Sequence, residues 1–288
     1  MHNKYEGVTH MNARGPKWYK ENWTLDIKGQ SWVEDTEKQV DFLIETMELK
    51  GHERILDLAC GFGRHALAFS ERGFEVLGVD ITKAFIDDAT ATATARSLSA
   101  QFLCADIRSL CFCCEFDVVV NLADGAIGYL EDDEQNEMIF DVAARALKPG
   151  GFHFIDICDA DHAEAHFPKR HWEVGQHALA LAEFEWNPST RRMLYGGTDI
   201  PFGEIAQPPK AFTGDPIRLY SRAELEQIYA ARGMGIVSTF GDWAGAAKII
   251  HHLQLLLLAQ KAHPAAEMRI SSKIVGNRGN AVDGEISQ

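Results

Sequence analysis

Apolar residues recur at helical spacing in TEKQVDFLIETMEL, where Val40, Leu43, Ile44 and Met47 share one face. The pattern predicts an amphipathic helix over 36–49, stopped by Gly51. Short apolar runs then alternate with further helical patterns. Strands are predicted at 54–59, 75–80, 101–105, 116–121 and 152–157, and helices at 63–72, 82–98 and 133–147. The run FDVVVN at 116–121 is apolar enough for a central parallel strand. Lys148-Pro149-Gly150-Gly151 reads as the stop of the helix before it.

The alternation breaks at Asp159. Six prolines fall within 159–217, and two strands at 178–186 and 191–200 flank Asn187-Pro188-Ser189-Thr190, a hairpin pattern. Alternation then resumes. Ser221-Arg222-Ala223-Glu224 is a capping box opening a helix that runs to Arg232 and stops at Gly233. Strands follow at 235–240 and 253–259, and the chain turns polar and aperiodic from Ala265. The expected division is an aromatic-rich N-terminal segment (1–35) that folds over a site, an α/β core (36–158), a β-rich insertion (159–217), the rest of the core (218–263) and a tail (264–288). A βαβαβ series gives a doubly wound sheet with its ligand at the carboxyl ends of the strands. The insertion leaves strand five at that same edge.

Composition narrows the function. The formal charge is −14 over 288 residues, so phosphate backbones and anionic membranes are repelled, and neither nucleic acid nor membrane is expected as a partner. The longest apolar run, Leu253 to Ala259, is too short to span a bilayer. The first residues lack the apolar core of an export signal, and five of six cysteines crowd between 60 and 114. Free thiols in a cytoplasmic protein are the expectation. No metal is expected. Cys111, Cys113 and Cys114 have no second cluster to complete a zinc pattern, and His162, His166, His171 and His177 match no compact ligand motif.

The most informative stretch is Asp57-Leu58-Ala59-Cys60-Gly61-Phe62-Gly63. It runs from a strand through a glycine turn into a helix, which lets a ligand approach the backbone. Alone it also fits a dinucleotide fingerprint. Three acids sharpen it. Asp80 ends strand two, where a carboxylate can take both hydroxyls of a ribose. Asp106 follows strand three, where it can accept from an adenine amino group while Ile107 packs on the ring. Asp57 sits one turn before the glycines, where it can face an ammonium group.

On these motifs, with Phe116–Leu122 and Ala146–Gly151, the sequence resembles the class I S-adenosylmethionine-dependent methyltransferases. The resemblance implies a Rossmann-like seven-stranded α/β sheet, doubly wound with an antiparallel last strand, carrying here a β-rich insertion subdomain. It implies S-adenosylmethionine as cofactor, held by Asp57, Ala59, Gly61, Gly63, Asp80, Ile81, Asp106, Ile107, Asn121 and Leu122. An insertion after strand five looks like the small-molecule branch, with nitrogen or oxygen as acceptor. An NAD-dependent oxidoreductase is the alternative, and a non-methylating use of the cofactor, such as a cyclase, is another.

The loop 121–129 departs from the Asn/Asp-Pro-Pro-Tyr signature of methyltransferases acting on adenine or glutamine amides. Its polar members, Asp124 and Tyr129, are the candidates at the methyl-transfer point. Tyr19, with Trp18 and Trp32, is expected to close the acceptor pocket from the N-terminal side. Arg218, with Tyr220, is expected to clamp a substrate carboxylate from the insertion. The hairpin at 178–200 offers a surface for pairing two copies of the chain.

Overall fold

The computed structural model describes residues 12–263, apart from 16, 22, 176–177 and 206–212. The polar tail from 264 and His177 therefore lie outside the described residues. A two-residue strand β1 (Asn12–Ala13) is followed by three short 3-10 turns and helix α1 (Thr36–Thr46). Then come β2 (Arg54–Leu58), α2 (Arg64–Glu71), β3 (Glu75–Asp80), α3 (Lys83–Ala95), β4 (Gln101–Cys104), β5 (Phe116–Asn121), α4 (Asp133–Ala146) and β6 (Leu147–Cys158). Next are α5 (Ala160–His166), β7 (Lys169–Val174), β8 (Ala178–Asn187), β9 (Arg192–Pro201), β10 (Thr213–Arg218), α6 (Arg222–Ala230), β11 (Met234–Phe240) and β12 (Gln254–Lys261).

Seven strands form the main sheet in the order β11-β12-β6-β5-β2-β3-β4. The β4-β3-β2-β5-β6 block is parallel, and β12 runs antiparallel to both of its neighbours. β2 and β5 are central and buried on both faces, which explains their unbroken apolar runs. Val40, Leu43 and Phe69 from α1 and α2 cover one face, and Ile139, Phe140 and Leu225 from α4 and α6 cover the other. The capping box at Ser221 and Glu224 forms in both directions.

Two segments differ from the sequence reading. β6 does not wait for Phe152 but begins at Leu147 and runs through the Lys-Pro-Gly-Gly stretch. A register shift between Phe116 and Val118 absorbs that turn as an irregularity of the β5–β6 ladder. The insertion is also richer than one hairpin. Its four strands form a second sheet, in the order β10-β9-β8-β7, to which β1 from the N-terminal segment adds at the β10 edge. Sequence periodicity misses β7 because every residue in KRHWEV is exposed, so no buried face imposes alternation.

Candidate active site

A cavity of about 870 Å3 opens at the carboxyl ends of β2, β3, β5 and β6, with the second sheet and the N-terminal segment closing its far side. Of the residues named from sequence, Asp57, Ala59, Gly61, Asp80, Ile81, Asp106, Ile107, Leu122, Asp124, Tyr129 and Tyr19 line it.

The β2–α2 turn is built around Asp80. Its two carboxylate oxygens accept the Gly61 N–H at 2.9 Å and the Thr82 N–H at 2.7 Å. The same carboxylate thus fixes the glycine turn and keeps lone pairs for a ligand. Asp57 is 1% exposed, and its Oδ2 accepts no hydrogen bond among the described residues. Burial pushes its pKa to about 7, with Arg64 opposing the rise and Asp80 adding to it. Arg64 itself donates to Thr36 and Gln39 at 2.7 Å each. Asp106 is occupied by Arg108, which binds it through both backbone and guanidinium, and this holds its carboxyl below the usual range.

Gly63 serves packing instead of lining the cavity. It starts α2 at φ +75°, and a Cβ there would meet the Phe102 ring at 2.6 Å. Asn121, also expected at the cofactor, is fully buried and turned away. Its amide donates to Gly125 O at 2.7 Å, and its carbonyl faces His153 Nε2 at 2.9 Å. Because an amide oxygen only accepts, His153 Nε2 is the donor, and Nδ1 is left to accept from Tyr229 Oη at 3.0 Å. Burial pushes the His153 pKa down to about 3, so this chain is uncharged. Its role is to pin the next loop.

That loop is unusual. Ala123, Asp124, Gly125 and Ala126 all take positive φ, between 50° and 65°. Each non-glycine residue in this conformation costs roughly 1 kcal/mol. The turn is held by Asn121, and by Asp156, whose side chain and carbonyl accept the N–H groups of Ala123 and Asp124 at 3.2 and 2.8 Å. Asn136, fully buried, accepts from Gly128 and Leu130. The result brings Asp124 into the cavity, where Tyr129 Oη donates to it at 3.0 Å. Burial and the neighbouring Asp156 carboxylate raise the Asp124 pKa to about 7.

The cover has two parts. Trp18 packs on Tyr129 with ring centroids 4.8 Å apart, and Tyr19 reaches Glu131 at 3.4 Å. From the second sheet, Phe184, Tyr195 and Asp215 share one register row, and all three line the cavity. β1 pairs with β10, and Arg14 binds Asp215 at 2.6 Å, joining the two parts.

Arg218 does not line the cavity. It is 7% exposed, bonds Glu224 and Asp133 at 2.7 and 3.2 Å, and lies over the Tyr220 ring. Tyr220 is buried in the core beside Phe140. Strand alternation explains the miss. Ile217 takes the inward position, so Arg218 must face the other way. Arg218→Gln is expected to cost about 2 kcal/mol of stability through its lost charged hydrogen bonds, while cofactor affinity holds. Thermal melting alongside calorimetry checks this, and lost binding with unchanged stability would contradict it.

Sequence reading missed Asp156, Tyr195, Asp215 and Arg14. Asp156 left one signal, an acid inside FHFIDIC, which is apolar apart from it and His153. The others depend on how the insertion folds back.

The Asp57 ionisation gives a stability test. Its folded pKa of about 7 stands above the ordinary 3.8. Between those values the folded chain keeps a proton that the unfolded chain releases, so this carboxyl removes stability as pH rises through that window. Asp57→Asn is therefore expected to melt higher than the parent at about pH 8, with the difference closing near pH 4. A parent that gains on the variant as pH rises would refute the assignment.

Residues 55–151 match the family model described as "Methyltransferase domain". A putative methyltransferase, YqeM, of Bacillus subtilis (strain 168) is 35% identical over 105 residues, covering 36% of this chain and 42% of that protein. The cypemycin N-terminal methyltransferase of a Streptomyces species is 32% identical over 105 residues, with the same coverage. The chain thus spans less than half the length of these curated relatives. The CcbJ methyltransferase of Streptomyces caelestis superposes with a TM-score of 0.67 at 16% identity, covering 84% of this chain and 94% of that one. An S-adenosylmethionine-dependent methyltransferase of Clostridium acetobutylicum gives 0.66 at 16% identity, with coverages of 82% and 97%. At these identities the likeness is one of fold. Among the described residues, no helix is long and apolar enough to cross a membrane. Residues 55–151 thus match a methyltransferase domain, and the chain has the Rossmann-like fold seen in S-adenosylmethionine-dependent methyltransferases.

Proposed function

We propose that the protein transfers a methyl group from S-adenosylmethionine to a nitrogen or oxygen of a small molecule, in the cytoplasm. The observation that carries this reading is that one cavity holds both parts of the site. Its inner end holds the glycine turn with Asp57 and Asp80, and its outer end holds Asp124 and Tyr129 under an aromatic cover.

The inner end suits the cofactor. The donorless Asp57 Oδ2 fits an ammonium, and the anchored Asp80 carboxylate fits two ribose hydroxyls. Ile81 and Ile107 offer apolar contact for a flat base, with Asp106 at its edge. When bound, the cofactor supplies a methyl group already activated on a sulfonium. The chain's own task is then to align the nucleophile, keep water out and take a proton where the nucleophile arrives protonated. Asp124 is the proton acceptor in this reading, with Tyr129 fixing its carboxylate. Trp18, Tyr19 and the insertion keep the chamber dry. The hairpin of β8 and β9 is flanked by β7 and β10 and, among the described residues, offers no free edge, so a second copy would pair at the edge strand β7, where Trp172 and Val174 are exposed.

The test is calorimetric titration with S-adenosylmethionine, its demethylated product and NAD. One-to-one binding of the first two and none of NAD is expected. Binding of NAD in preference would replace this reading with an oxidoreductase.

A further inference from the structure

The cavity is strongly one-sided in charge. Among the described residues, seven aspartates line it, against three arginines and no lysine. Each arginine is already engaged. Arg108 lies on Asp106, Arg64 is bonded to Thr36 and Gln39, and Arg14 is paired with Asp215. Asp57, Asp80 and Asp106 sit at the inner end. Asp124, Asp156, Asp199 and Asp215 remain at the outer end, where Arg14 is, among the described lining residues, the arginine bonded to one of them.

These four acids come from separate elements. Asp124 is on the left-handed turn, Asp156 is on β6, Asp199 is on β9, and Asp215 is on β10. The second sheet's register puts Asp215 in one row with Tyr195 and Phe184, and Asp199 two pairs further along the same face. Tyr195 feels the fields of Asp199, Asp215 and Asp124 together, so the turn and the second sheet face a shared space. Asp156 takes one hydrogen bond from Gln254 at 2.8 Å and one from Ala123, both neutral donors, and feels the Arg64 charge without a direct bond to it. Four carboxylates facing one chamber outnumber the cations there, Arg14 on Asp215 and the Arg64 charge acting on Asp156, and an incoming cation relieves the repulsion that remains. The aromatic rings around them attract a cation as well.

Resting on the proposed methyl transfer, we infer that the acceptor is an amine that enters as an ammonium, on a small body with a flat apolar part. Its charged end lies among Asp124, Asp156, Asp199 and Asp215, and its flat part lies against Phe184, Tyr195 and Trp18. An acceptor carrying a carboxylate or phosphate is disfavoured by the same field. The ammonium gives one proton to the Asp124 carboxylate. The freed nitrogen lone pair forms the new N–C bond to the methyl carbon. The C–S bond breaks with its electron pair left on sulfur, and the positive charge passes to the methylated nitrogen. The raised pKa of Asp124 suits it to receive that proton near neutral pH.

The probes are three compounds of one skeleton: tyramine, the corresponding alcohol and the corresponding carboxylic acid. Each is titrated into the full chain saturated with S-adenosylhomocysteine, with saturation-transfer NMR as the readout. The amine is expected to bind about tenfold to a hundredfold tighter than the alcohol, and the acid weakest. Asp199→Asn and Asp215→Asn are each expected to shrink the amine's advantage several-fold, without changing the affinity for S-adenosylhomocysteine. Equal binding of all three, preference for the acid, or no binding of the amine overturns the inference while the cofactor reading stands. Failure of S-adenosylhomocysteine to bind in the first place overturns the methyltransferase reading and this inference with it.

Discussion

Asp80→Ala is expected to weaken S-adenosylmethionine binding by about 2–4 kcal/mol, a loss of roughly thirtyfold to a thousandfold. The carboxylate has two jobs. It holds the turn through Gly61 and Thr82, and it presents its remaining lone pairs to the cavity. Alanine removes both, so the turn loosens as the ribose loses its acceptor. Asp80→Asn separates the two contributions. The amide keeps the size of the side chain and one oxygen for the turn, but it loses the charge and the second acceptor. Its affinity should fall between those of the parent and the alanine variant. Calorimetry with the cofactor, alongside far-ultraviolet circular dichroism, reads the result. Unchanged affinity in Asp80→Ala, with the fold intact, would remove the assignment of this turn to the cofactor.

Asp124→Asn is expected to lower turnover by about a hundredfold to ten-thousandfold, while the cofactor still binds as in the parent. The asparagine is nearly isosteric, and the turn is anchored through Asn121 and Asp156 rather than through this side chain. What is lost is the proton acceptor. The parent's kcat/KM should rise with pH through about 7, where Asp124 gives up its own proton, and then level off. The variant should lose that rise. Turnover retained within a factor of a few would mean that the acceptor needs no base here, or that the methyl-transfer point lies elsewhere in the cavity.

Much of the main sheet was legible because physics writes it locally. β3 and β5 carry apolar runs bounded by turn residues, and their observed limits equal the expected ones. The inner end of the site was legible for a related reason. In a doubly wound sheet, residues just after each strand must converge on one edge, so Asp57, Gly61, Asp80 and Ile107 could be brought together from order alone. The outer end was not. Arg218 was misplaced because a single inward or outward choice on β10 depends on pairing with β9, which no local pattern fixes. Asn121 was misread because its buried partners, His153 and Gly125, lie on other elements. The left-handed turn at 123–126 left no sequence trace beyond one glycine, since Ala123, Asp124 and Ala126 adopt it only under tertiary constraint.

The two-residue strand β1 and the Arg14–Asp215 pair make the N-terminal segment and the second sheet a single body over the cavity. In the proposed reading, the cofactor end and the acceptor end lie beneath this one cover, so ordered binding, cofactor first and acceptor second, is the expected kinetic pattern, and a kcat that falls with solvent viscosity is the expected sign that opening of the cover paces turnover.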